Sequence, residues 1–136
     1  MLNSSIDRVP RTTPPEINRR IREQTVANLM KYRDAPQEAV ERRLEELDRE
    51  WDIERAIELN AASFALAGFA AGAFDRRFLV LPVAVCGFLL QHALQGWCPP
   101  VSALRRMGFR TQHEIEAERL ALNRIASRKY GRTPFP

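Results

Sequence analysis

Apolar residues in this chain are gathered into blocks. Residues 61–74 and residues 78–104 contain no charged side chain, and Asp75-Arg76-Arg77 separates the two blocks. The first block, Ala61 to Phe74, is small-sided, with alanine at 61, 62, 65, 67, 70, 71 and 73. The second, Phe78 to Trp97, spans about 30 Å as a helix, one hydrocarbon thickness. Two tandem runs joined by a tight charged break predict a two-helix transmembrane hairpin over residues 53–98. The alternative is a pair of soluble core helices. Apolar residues cover every face of both runs, so that alternative requires complete burial of both.

Outside the hairpin the pattern is helical and charged. Residues 1–15 hold Pro10, Pro14 and Pro15 without periodicity and read as a disordered arm. A helix is expected from Glu16 to about Arg33, with Ile17, Ile21, Val26, Leu29 and Met30 as its ragged apolar stripe. Asp34-Ala35-Pro36 breaks it. Val40, Leu44, Leu47 and Trp51 recur at spacings of 4, 3 and 4, a second helical stripe. Neither Gly nor Pro interrupts the chain from Gln37 to Gly68, so this helix is expected to flow into the hairpin. Residues 101–110 read as a linker. Thr111-Gln112-His113-Glu114 is a capping box for a last helix reaching about Lys129, with Ile115, Leu122, Ile125 and Ala126 on one face and Gly131 as its stop. The expected fold class is all-α, a two-helix transmembrane hairpin with amphipathic cytoplasmic helices before and after it. Its parts are the arm 1–15, charged amphipathic helices 16–52, the hairpin 53–98, and a basic linker with the C-terminal helix 99–136.

Counting outward from Arg76 places positions of the two hairpin helices at equal depth. Glu58, Asn60, Gln91, His92 and Gln95 then gather at the end opposite the turn, a polar layer in reach of headgroups, where these groups can satisfy one another. One His and one Glu are too few for a metal set, so no metal and no cofactor is expected. Gly68 and Gly72 form a G-x-x-x-G with Ala65 beside it, a surface for close helix approach within the hairpin or between subunits.

Charge refines this picture. The net charge is +4; residues 1–56 carry 11 basic and 12 acidic groups, whereas residues 96–136 carry 8 basic and 3 acidic groups. A basic excess after a membrane segment reads as a cytoplasmic anchor on anionic lipid. Nucleic acid is the less favoured partner, because no aromatic interleaving accompanies the charge. Arg42, Arg43, Arg49 and Arg55 before the hairpin and Arg105, Arg106 and Arg110 after it outnumber Arg76 and Arg77 in the turn, which places both termini in the cytoplasm. Cys86 and Cys98 stand ~18 Å apart if on one helix, too far for a disulfide. The N-terminal residues lack the apolar run of a signal peptide. Phosphate-binding loops, zinc-protease motifs, paired C-x-x-C cysteines and nucleophile elbows are all absent from the sequence.

The hairpin closes on Gly96-Trp97-Cys98-Pro99. Together with Ile53-Glu54-Arg55 and two short apolar helices, that motif resembles the YgaP-like inner-membrane hairpin domain, from Ile53 to Gly108. In that family the domain stands alone or follows a rhodanese sulfurtransferase domain, and it is associated with dimerisation. Here charged helices stand where the rhodanese domain would be, so sulfurtransferase activity does not carry over. The segment RTQHEIEAERLALNRI resembles extensions of some stand-alone members. The resemblance implies a bacterial inner-membrane location. The leading expectation is a non-enzymatic scaffold or accessory subunit, in contact with lipid and associating with itself or a larger membrane complex. A second reading makes Cys98 a sulfur-relay or redox thiol; the competing account makes Trp97-Cys98-Pro99 an interfacial stop. A third is a membrane-tethered nucleic-acid binder.

Overall fold

A computed structural model describes residues 8–131. Its elements are all helical: α1 (Arg8–Thr12), α2 (Pro15–Arg33), α3 (Gln37–Arg49), α4 (Ile53–Gly72), a 3₁₀ turn (Arg76–Leu79), α5 (Val80–Gln95), α6 (Pro99–Arg106) and α7 (Gln112–Tyr130). The all-α expectation therefore holds at the level of fold class. Of the arm expected to be disordered, residues 1–7 lie outside the described residues. Arg8–Thr12 instead forms a helix, with Val9 buried at 2% exposure.

Two boundaries differ from the sequence expectation for identifiable reasons. The charged helix does not flow into the apolar run; α3 stops at Arg49 and Glu50–Asp52 is extended. Asp52 is the N-cap of α4, its side chain accepting from the Arg55 amide at 2.6 Å. The Ile53 amide leaves the helix register altogether and donates to the Arg110 carbonyl at 2.9 Å. Trp51 consequently drops out of the buried stripe, and its exposed ring lies under the Arg55 guanidinium at 4.4 Å. The segment 101–110, expected as a linker, is mostly helix α6, opened by Pro99 and Pro100 in its first turn, where a missing amide costs nothing.

Two apolar clusters organise the described residues. One joins Val9, Ile53, Ala56, Ile57, Cys98, Val101 and Leu104, with Phe109 against it. The other joins Val40, Leu44 and Leu47 of α3 to Ile115 and Leu122 of α7. The stripes expected on α3 and α7 thus face each other. The Thr111 capping box is formed, with Glu114 bonding back to the Thr111 amide.

Helix α4 folds back along α5 through the 3₁₀ turn, and this is the most extensive helix pairing among the described residues. A Cβ on Gly68 would stand 2.5 Å from the Pro82 Cδ, and one on Gly72 would run into the Leu79 side chain. The two glycines are spent on close approach inside the pair. One helical stretch among the described residues, Arg76–Gln95, is long and apolar enough to cross a membrane, and only 11% of it is buried. The sequence led us to expect two such spans. α4 falls short because Glu54, Arg55, Glu58 and Asn60 occupy its first turns, leaving Ala61–Gly72 as its apolar part.

Candidate functional site

The Gly96–Pro99 motif joins the end of α5 to the start of α6. Gly96 adopts φ 76°, the left-handed conformation that ends α5, and its amide donates to the His92 carbonyl at 2.8 Å. Glycine is required there twice over. A Cβ would also lie 2.6 Å from the backbone of Arg8. That contact exists because α1 seals the end of α5: the Arg8 Nη1 donates to the Ala93 carbonyl at 2.6 Å, and the Thr12 hydroxyl donates to the Gly96 carbonyl at 3.1 Å. Both acceptors belong to the end of α5, where carbonyls lack helical partners and a positive charge is favoured.

Cys98 follows as the N-cap of α6, with no side-chain capping bond. It is 2% exposed and packs in the Val9–Ile53 cluster. Burial pushes its thiol up, against a weaker lowering by the Val101 amide. Cys98 sits at the positive end of α6, yet burial still dominates. Cys86 and Cys98 are both free thiols. An apolar recess of about 220 Å³ runs from Ile57 and Phe64 to Phe88 and Cys98, with Asn60 on its wall.

The polar residues expected to satisfy one another do not. The Asn60 side-chain amide donates to the Ala56 carbonyl of its own helix at 2.8 Å. Glu58 and Gln95 are exposed. His92 is buried, and its Nδ1 has no hydrogen-bond partner. Among the described residues no hydrogen bond joins any two of these four. Ala65 is half-buried, in the same helix as the closely packed Gly68.

What sequence reasoning missed is a buried ionic core among α2, α3, α6 and α7. Arg105 is fully buried. All five of its N–H donors are used: Nε on the Thr13 hydroxyl, Nη1 on the Phe109 carbonyl and Glu114, and Nη2 on Asn18 and Glu114. The Glu114 bonds, at 2.6 and 2.9 Å, form a bidentate fork. Burial opposes ionisation of Glu114, but the Arg105 and Thr111 bonds outweigh it and hold the carboxyl below its ordinary range.

Beside it, Glu118 is also fully buried and accepts from Arg43, Asn28 and Arg110. Arg110 in turn makes a fork to Glu50 at 2.7 and 2.6 Å. Burial disfavours the charge on Arg43 and Arg110, yet their carboxylate partners outweigh it and raise both. These bonds tie α2, α3 and α7 to the turn after α6. The available sequence signal was the three arginines of segment 101–110, Arg105, Arg106 and Arg110, which read as flanking charge for the apolar segment.

Among the described residues no group of three or more His, Cys, Asp or Glu is arranged to hold a metal ion. In comparisons with protein-family models, curated proteins and solved structures, none matches this chain.

Proposed function

We propose that this chain is a small non-enzymatic membrane protein, a scaffold or accessory subunit. In this reading α4 and α5 form a hairpin in the bacterial inner membrane, and α1–α3, α6 and α7 build a cytoplasmic platform. The observation that carries it is the exposure of an apolar helix: Arg76–Gln95 is long and apolar enough to cross a membrane, and only 11% of it is buried. A soluble core helix would be covered. Phe64, Leu66 and Phe69 on α4 and Val80, Val83 and Leu90 on α5 are all more than half exposed. An apolar surface of that extent calls for lipid or a protein partner. Trp51 and Trp97 flank the pair at its open end, the level that amphipathic aromatics favour. The arginines flanking that end support a cytoplasmic platform. The YgaP-like resemblance fits the same assignment, and with it self-association or docking on a larger membrane complex.

The test is fractionation followed by mass. Membranes from expressing cells are washed with alkaline carbonate, and the chain is expected to stay in the pellet; release into the wash would overturn the membrane reading. In mild detergent, light scattering is expected to give a mass above one chain, or a larger protein is expected to co-purify. A lone monomer would sink the scaffold reading.

A further inference from the structure

We propose that the platform carries a binding site for a phosphate-bearing anion in the cleft between α2, the end of α3 and the α6–α7 turn. The cleft encloses about 520 Å³ and is walled by Arg20, Arg43, Arg106 and Arg110 with Gln24, against Glu50 as its one acidic lining residue. These arginines divide into two kinds. Arg43 and Arg110 are pinned by Glu118 and Glu50 and form fixed walls. Arg20 and Arg106 have no acidic partner among the described residues. Arg20 instead donates to the Arg106 carbonyl at 2.6 Å, which sets both residues on one rim.

Two unneutralised guanidinium groups at the mouth of a polar cleft make a positive site. Guanidinium forks match oxyanions with several acceptors, and a tetrahedral phosphate offers more than a carboxylate does. The cleft is larger than a bare phosphate, so it leaves room for the group the phosphate is attached to. That phosphate comes either from a free phosphomonoester or from a lipid headgroup, and the chemistry of recognition is the same.

The experiment uses the full chain in neutral detergent. Binding of inorganic phosphate and glycerol phosphate is measured by calorimetry at constant ionic strength, with chloride as the balancing salt. A second arm places the chain in phosphatidylcholine nanodiscs with and without phosphatidylglycerol and follows the thermal midpoint. The variants are Arg20→Ala with Arg106→Ala, and Arg22→Ala as an exposed arginine on α2 outside the cleft. Saturable phosphate binding that falls at least ten-fold in the double variant and survives in Arg22→Ala supports a free-anion site. Stabilisation by phosphatidylglycerol alone, lost in the double variant, supports a headgroup site. No response in either arm, or equal responses in wild type and double variant, overturns the proposal. Should the double variant lose its thermal transition without ligand, Arg106→Gln alone gives the same readout. The detergent arm does not depend on the scaffold reading, so the two can fail separately.

Discussion

Arg105 shows how a residue type that ordinarily faces water becomes a keystone. Five donors meet five acceptors, so its charge is buried without a loose end. Removing it would strand Glu114, Asn18, Thr13 and the Phe109 carbonyl. Breaking a buried pair in this way costs roughly 3–5 kcal/mol, so Arg105→Ala is expected to be among the most destabilising single changes, read as a drop in thermal midpoint. Glu114 adds a pH signature. Its folded value lies below the unfolded one, so its contribution is complete above the ordinary carboxylate range and is lost as pH falls through the folded value. Thermal unfolding below roughly pH 5 should therefore show an acid limb that shrinks in Glu114→Gln. An unchanged limb would mean other carboxylates set it. None of this was legible in the sequence. Arg105 and Glu118 look like ordinary surface charges, and their partners Asn18 and Asn28 stand 87 and 90 positions away.

Elements were legible where their signals are local. α2 and α7 announce themselves through Pro15 and the Thr111–Glu114 box, and the stripe Val40, Leu44, Leu47 meets Ile115 and Leu122 as their periods imply. The break before α4 was hidden because the chain reads as helix on both sides. Only the cap at Asp52 and the pull of Arg110 on Glu50 and Ile53 enforce it. α6 was missed because it is short and its order depends on a buried arginine paired elsewhere. The G-x-x-x-G pair was legible as a packing device, though not in its partners. Those partners make the two glycines unequal. The atom facing Gly68 belongs to a rigid proline ring, whereas Gly72 faces the flexible end of Leu79. Overpacking costs typically ~1–3 kcal/mol. Gly68→Ala should fall in that range and Gly72→Ala well below it, measured as unfolding in detergent. Equal costs would show that the pair can slide apart.

For the whole molecule, the helix pair is an insertion in a domain whose two halves lie on either side of it in sequence. Arg105 and Arg110 come after the pair and bond Thr13, Asn18, Thr25 and Glu50 before it. Replacing residues 59–95 with a short Gly/Ser linker should therefore leave a water-soluble helical domain with a cooperative thermal transition. A chain that lacks helical signal or precipitates would show that the rest of the fold needs the α4–α5 pair as its floor. The split also fixes an order of events in biosynthesis. As α1, α2 and α3 leave the ribosome, the arginines they close around have not been made. Thr13, Asn18 and Glu50 must wait until the whole hairpin has been synthesised and Arg105 and Arg110 have followed it. Assembly of these helices is thus a late event, and a chain arrested within the α4–α5 pair would leave Thr13, Asn18 and Glu50 without their arginine partners.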